Sequence, residues 1–134
     1  MCGILGKFST KNRINRDIFL KTLTNLNHRG PDDSGIEVGN INDFNFIIGH
    51  KRLSIIDLTS AGKQPFKSAD DRFILVFNGE IYNYLELKKE LSNLGFTFTS
   101  TSDTEVLLNA WICWGKDSIN KLIGMFSFGI LDKS

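Results

Sequence analysis

Short apolar segments recur along this chain from its first residues to its last, and each is bounded by polar or turn-forming residues. The strand-like segments cover residues 2–8, 44–49, 53–58, 72–77 and 125–131. Segments of this length that are rich in Phe, Ile, Leu and Val are typical of buried strands. Because a membrane span needs about 20 apolar residues, none of them is long enough to cross a bilayer.

Three other segments have apolar residues spaced three or four positions apart, which predicts helices at residues 16–27, 84–94 and 103–114. We expect Asn15 to cap the first helix, and Gly95 and Gly115 to end the other two. Ser102 and Glu105 have the S-x-x-E spacing of a capping box at the start of the third. Strands and helices in this mixture predict a layered domain of α and β elements.

Two of the predicted turns contain candidate functional residues, and a third turn is predicted at Thr59 to Lys63. Residues 28–35 contain Gly30-Pro31 and Asp33-Ser34-Gly35, which favour a polar loop long enough to cover a pocket. Asn78-Gly79 follows the strand at residues 72–77 and is a common turn dipeptide.

Composition narrows the classes of function. The chain has 134 residues, of which 16 are basic and 15 acidic, so its formal charge of +1 provides no strong field for nucleic acid or an anionic membrane. Two cysteines, Cys2 and Cys113, cannot make the disulfide framework of a small secreted domain, and no signal peptide is visible. We therefore expect a cytoplasmic globular domain that binds neither nucleic acid nor membranes.

Cys2 is the strongest candidate for a catalytic nucleophile in this chain. Removal of Met1 would leave Cys2 with a free α-amine, and such an amine, with a pKa of about 7.7 to 8.0, can accept the proton of the thiol. Nucleophile and base would then belong to one residue. From Cys2 alone, a buried structural cysteine is the alternative.

Several polar residues could assist such a nucleophile. The side-chain amide of Asn78 and the backbone N–H of Gly79 are the donors that an oxyanion hole needs. Arg52 can hold a carboxylate through two hydrogen bonds, and Asp103 can anchor an ammonium group. Each has an ordinary alternative: a simple Asn-Gly turn, a solvated charge at a strand edge, and an acidic residue that complements a helix dipole.

The loop at residues 28–35 carries His28 and Arg29, which either cover a pocket or order the loop through hydrogen bonds. His28 and His50 have no metal-ligand spacing with each other or with a cysteine, so we predict no metal site.

Taken together and in order, the motifs resemble the glutaminase domain of the class II glutamine amidotransferases, within the N-terminal-nucleophile hydrolase superfamily, and most closely the asparagine-synthetase branch of that class. The resemblance covers nearly all of the chain. The motifs that carry it are Met1-Cys2-Gly3-Ile4, His28-Arg29-Gly30-Pro31-Asp32, His50-Lys51-Arg52-Leu53-Ser54-Ile55-Ile56-Asp57, Gln64-Pro65, Phe77-Asn78-Gly79-Glu80-Ile81-Tyr82-Asn83, Ser102-Asp103-Thr104-Glu105 and Gly124-Met125-Phe126.

The resemblance implies an α+β fold, a four-layer αββα sandwich of the N-terminal-nucleophile hydrolase type. In that family the domain continues past the Gly-Met-Phe strand, and a second domain binds ATP and aspartate. We therefore expect residues 1–134 to be a partial amidotransferase domain, truncated at its C-terminal side and without the synthetase domain.

The same resemblance implies roles for individual residues. Cys2 would attack the side-chain amide of glutamine with its own α-amine as base, while Asn78 and Gly79 stabilise the oxyanion. The implied substrate-binding residues are Arg52 for the α-carboxylate, Asp103 with Glu80 for the α-ammonium, and backbone groups near Leu53 and Ile55. The implied loop that closes over the pocket consists of His28, Arg29, Gly30, Pro31 and Asp32.

The implied partners are glutamine and an ammonia-accepting synthetase domain, and a homodimer stays open. No cofactor is expected for the glutaminase step, whereas ATP and Mg are expected only for the missing domain. Two other functions remain as alternatives. One is a catalytically silent, truncated amidotransferase domain with a role in binding or assembly, and the other is a redox or metal-binding thiol protein, which would bring Cys2 and Cys113 or a histidine cluster together.

Overall fold

A computed structural model describes residues 2–10, 13–55 and 59–134 of the chain. The strands in this part are β1 (Gly3–Ser9), β2 (Asp33–Ile41), β3 (Phe44–Arg52), β4 (Phe66–Lys67), β5 (Phe73–Ile81) and β6 (Gly124–Asp132). The helices are α1 (Arg16–Thr24), α2 (Tyr84–Asn93) and α3 (Asp103–Trp114), with short 3-10 helices at Ser60–Gly62 and Gly115–Lys121. None of the helices described is long and apolar enough to cross a membrane.

The strands form two antiparallel sheets, with the orders β1-β3-β2 and β4-β5-β6. Three apolar clusters join four layers. Phe19 and Leu23 of α1 pack on Ile47 of the first sheet, a second cluster lies between the sheets, and the third joins β5 to α2 and α3. The layers therefore follow the order helix, sheet, sheet, helix, as the αββα prediction requires.

The N-terminal cap of α1 is confirmed, because Oδ1 of Asn15 accepts a hydrogen bond of 3.0 Å from the N–H of Ile18. The helix ends at Thr24, three residues before the predicted end. Beyond it the backbone bonds connect residues three apart, as from Leu26 N–H to the Leu23 carbonyl at 3.0 Å. The last turns are thus tightened into 3-10 geometry.

Only half of the predicted capping box forms at α3. Oγ of Ser102 accepts from the N–H of Thr104 at 3.1 Å, as a cap should. The carboxylate of Glu105 instead accepts from the backbone N–H groups of Thr99 and Ser100, at 2.9 and 2.7 Å. Glu105 therefore orders the segment that leads into the helix.

The Asn78-Gly79 turn prediction is wrong. Both residues lie inside β5, where they pair with Ser127 and Phe126 of β6. Gly79 has φ +155°, and a Cβ at this position would lie 2.3 Å from the carbonyl oxygen of Met125. Because β6 supplies ladder partners for both residues, the strand continues through a dipeptide that on its own favours a turn.

Residues 33–35 were also predicted as a turn but begin β2, whose ladder pairs Gly35 with His50. Here the glycine allows a close approach, since a Cβ on Gly35 would lie 2.0 Å from the carbonyl oxygen of Gln64. The strand predicted at residues 53–58 is wrong for residues 53–55, because β3 runs on to Arg52 and the chain then leaves the sheet. Residues 56–58 lie outside the described part.

Candidate functional site

The layer between the two sheets changes from apolar to polar along its length. In its middle, apolar residues of β3 and β5 pack together. Alternate residues of a strand face the same side. The inward face of β3 therefore continues as His50 and Arg52, and that of β5 continues as Asn78 and Glu80. The site is built at this polar end.

Cys2 reaches the same place from the start of β1. The ladder sets Gly3 opposite Lys51, next to the last residue of β3. The N–H of Leu53 lies 3.4 Å from Sγ of Cys2, and Nε of Arg29 donates to the Cys2 carbonyl oxygen at 3.0 Å. Both the thiol and the backbone of Cys2 are thus held. The predicted removal of Met1 concerns a residue outside the described part.

Two adjoining clefts meet at Cys2. The smaller has a volume of about 50 Å³ and is lined by Cys2, Arg52, Leu53, Gly62, Gln64, Phe77, Gly79, Glu80, Ser102, Asp103 and Thr104. The larger, of about 150 Å³, is lined by Cys2, Leu53, Ile55, Gly79, Glu80 and Met125. The structure thus gathers seven of the residues that the sequence singled out, namely Cys2, Arg52, Leu53, Ile55, Gly79, Glu80 and Asp103.

Charges of opposite sign line the smaller cleft. Arg52 is buried, and its Nη1 donates to the carbonyl oxygen of Thr59 at 2.8 Å. Asp103 is also buried, and its Oδ2 accepts from the N–H of Ile81 at 3.1 Å. Burial raises the pKa of Asp103 and the nearby charge of Glu80 raises it further, although hydrogen bonds from backbone N–H groups oppose both effects. A cation in the cleft would favour the ionised carboxylate.

Asn78 is not among the residues that line the two clefts, although its neighbours Phe77 and Gly79 are. Oδ1 of Asn78 and Nδ1 of His50 are buried and have no hydrogen-bond partner among the described residues. The other ring nitrogen of His50, Nε2, lies 3.0 Å from the carbonyl oxygen of Phe77. Burial lowers the pKa of His50 to about 4, and the charge of Arg52 contributes, although the bond to Phe77 acts in the opposite direction. His50 is therefore neutral at pH 7, and its Nε2–H donates to Phe77.

The loop that was predicted to close over the pocket is attached to the end of β3. The N–H of Asp32 donates to the Arg52 carbonyl oxygen at 3.0 Å, and Oδ2 of Asp32 accepts from Ser54 N–H at 2.7 Å. Gly30 packs so closely on Lys51 that a Cβ would lie 2.3 Å from its carbonyl oxygen. The ring of exposed His28 bonds locally, to the Asn25 carbonyl oxygen at 2.9 Å. Closure of the loop, which includes Pro31, stays a prediction.

Several cleft residues were not predicted from the sequence. Ser102 and Thr104 flank Asp103 on the first turn of a helix whose cap was recognised, so the capping pattern already contained their position. Gln64 was noticed only as part of the Gln64-Pro65 motif and received no role. Its contacts join segments far apart in the chain, and no local periodicity indicates them.

The chain is similar to known proteins along its whole length. A family model described as a glutamine amidotransferase domain matches residues 1–134. The chain is 39% identical over 138 residues to the glutamine-hydrolyzing asparagine synthetase 1 of Bacillus subtilis, covering 100% of this chain and 21% of that protein. It is likewise 39% identical over 134 residues to the corresponding synthetase 1 of Arabidopsis thaliana, covering 98% of this chain and 22% of that protein. The chain thus spans about a fifth of the length of these relatives.

A solved structure has the same fold. The glutamine phosphoribosylpyrophosphate amidotransferase of Bacillus subtilis, in complex with ADP and GMP, matches with a TM-score of 0.76 over 98% of this chain and 35% of that one. At 24% identity this likeness concerns the fold alone, and it confirms the predicted fold class.

Proposed function

The chain belongs to the family of glutamine amidotransferase domains, and we propose that it hydrolyses the side-chain amide of glutamine through a thioester on Cys2. One observation carries the proposal. A thiol at the second residue, a buried guanidinium and two carboxylates, from Cys2, Arg52, Glu80 and Asp103, line one small cleft.

The charges of the cleft match the α-carbon substituents of glutamine. Arg52 would bind the α-carboxylate through its planar guanidinium. Asp103 and Glu80 would bind the α-ammonium, and its positive charge would offset the burial that raises the pKa of Asp103. The side-chain amide would then extend toward Cys2, at the junction of the two clefts.

The chemistry uses groups of Cys2 itself once Met1 has been removed. The α-amine takes the proton from the thiol, and the sulfur attacks the amide carbon of glutamine. The resulting oxyanion accepts hydrogen bonds from the Asn78 side-chain amide and the Gly79 N–H, and losing one such donor costs about 3 kcal/mol of barrier lowering. The carbon–nitrogen bond then breaks and the α-ammonium protonates the departing ammonia. Water hydrolyses the thioester, which releases glutamate and restores the thiol.

The acceptor of the ammonia is the second part of the proposal. Relatives such as the Bacillus subtilis protein are named asparagine synthetases, and this chain matches about a fifth of their length. We infer that the ammonia goes to a synthetase domain, and that ATP and Mg serve that domain while the glutamine step needs no cofactor. A cytoplasmic location and a homodimer stay predictions.

The test is glutamate release from glutamine by purified protein whose N-terminal residue has been determined by mass spectrometry. Cys2→Ala should abolish turnover with the fold retained by circular dichroism. Cys113→Ala is the matched control, because it removes the other free thiol, on α3, and should keep full activity. Turnover by Cys2→Ala would refute the nucleophile. A mature protein that retains Met1 and is inactive would favour the silent binding or assembly domain.

A further inference from the structure

We propose that Gln64 is a positioning residue that connects β5, which carries the proposed oxyanion donors, to the start of α3, which carries the proposed ammonium anchor. This connection would fix the distance between the two halves of the glutamine site. The inference rests on the proposed glutaminase function and assigns a role to a residue that contacts both sides of the cleft.

The first contact of Gln64 is a hydrogen bond to the backbone of β5, at a position where β4 no longer pairs with that strand. β4 pairs with β5 only at Phe66 and Lys67, and the preceding Pro65 has no N–H to extend the ladder. Oε1 of Gln64 takes over by accepting from the N–H of Phe77 at 2.6 Å. Nε2 of His50 meets the carbonyl oxygen of the same residue at 3.0 Å. Side chains therefore hold both backbone polar groups of Phe77, directly before Asn78.

The second contact reaches across the cleft to α3. Nε2 of Gln64 donates to Oγ1 of Thr104 at 3.3 Å. Thr104 follows Asp103, whose carboxylate is itself bonded to the N–H of Ile81 on β5. One amide side chain thus connects the residue before the proposed oxyanion donor to the residue after the proposed ammonium anchor.

Gln64 is itself held in place. Its side chain is buried, with 7% of the residue exposed. The backbone of β2 packs so closely behind it that a Cβ on Gly35 would lie 2.0 Å from the Gln64 carbonyl oxygen. With both ends of its amide bonded, the side chain has little freedom to shift. Displacing a catalytic donor by about 1 Å can lower the rate about 100-fold. We therefore expect the two hydrogen bonds of Gln64 to affect turnover.

The experiment compares kcat and KM for glutamine in four variants. Gln64→Met preserves much of the side-chain volume and removes both hydrogen bonds. It should lower kcat about 10- to 100-fold and raise KM. Thr104→Val is nearly isosteric and removes only the bond to α3, so it should raise KM about threefold or more and leave kcat within about twofold. The double variant should match Gln64→Met within about twofold, since both changes break the same connection.

Ser68→Ala is the matched control. Oγ of Ser68 accepts from the N–H of Phe73 at 2.9 Å, which is a side-chain bond to the opposite end of β5. Its loss should lower the melting temperature but leave kcat and KM within about twofold of the wild type. A merely structural role for Gln64 would give the same pattern.

The outcomes separate this inference from the proposed function. Turnover by Cys2→Ala would refute the proposed function whatever Gln64 does. If Cys2→Ala is inactive while folded Gln64→Met keeps both constants within about twofold of the wild type, only the role of Gln64 is refuted. Losses that multiply in the double variant would also refute it. If Gln64→Met does not fold, Thr104→Val decides: a raised KM with unchanged kcat supports the connection, and unchanged constants overturn it.

Discussion

Acidification should destabilise the fold through His50. This residue is fully buried between the sheets, and its pKa falls from 6.5 to about 4 because burial penalises the charged ring. The folded state therefore binds fewer protons than the unfolded chain between these two values. Stability from the neutral ring is fully present above pH 6.5 and is lost as the pH falls toward 4.

The size of the loss follows from the two pKa values. Linkage between 6.5 and about 4 predicts a cost of about 0.2 kcal/mol at pH 7, about 2 kcal/mol at pH 5 and about 3 kcal/mol at pH 4. Carboxylates titrate in the same range, so the wild-type curve alone does not isolate His50. His50→Gln provides the comparison, because glutamine carries a neutral N–H donor that can reach toward the Phe77 carbonyl and takes up no proton.

The assay is urea unfolding at several pH values between 7 and 4. Relative to His50→Gln, the wild type should lose about 2 to 3 kcal/mol of unfolding free energy over this range. His28→Gln is the matched control, because it replaces the other histidine of the chain, whose ring is exposed; the loss assigned to His50 should persist in this variant. Parallel curves for the wild type and His50→Gln would refute the argument.

Three further outcomes are expected. Gly79→Ala should lower the free energy of unfolding in urea by at least about 2 kcal/mol. The φ of +155° disfavours a side chain, and a Cβ would collide with the Met125 carbonyl oxygen. A loss below about 0.5 kcal/mol, which is typical of a neutral surface substitution, would contradict this. Asn15→Ala should cost about 1 kcal/mol through loss of the cap of α1, with kcat unchanged in the glutamate assay. Arg72→Ala should change the free energy of unfolding very little, since its two bonds to Asp132 lie on the surface. Urea unfolding in about 1 M salt should show a still smaller difference from the wild type, and a difference that grows with salt would contradict this.

The features that the sequence predicted correctly depend on interactions between residues close together in the chain. The caps of α1 and α3 depend on Asn15 and Ser102 and on N–H groups two or three residues away. The apolar strand segments and the family motifs were found in the same way. Seven of the predicted site residues line the clefts because the start of β1, the ends of β3 and β5 and the start of α3 meet at one end of the sandwich.

The two turn predictions that failed both concern residues whose partners are distant in the chain. Asn78-Gly79 favours a turn in isolation. Its strand partners on β6 lie more than 40 residues further along the chain, so no local pattern predicts the pairing. Gly35 was interpreted as a turn former, whereas close packing against Gln64 is what excludes a side chain. Both glycines are needed for close contacts with distant segments, and local turn preferences cannot predict such contacts.

The sequence alone determined the chemical groups, the helix starts and most of the apolar strand segments, because these depend on residue type and short spacing. Only the tertiary structure decided which groups share a site. It brings Leu53 N–H to the Cys2 sulfur across 51 positions, and it joins Phe77 to Thr104 through Gln64. Such contacts exist because β1 pairs with β3, β4 pairs with β5, and α3 packs on β5. These pairings join segments far apart in the sequence, so they are a property of the whole chain.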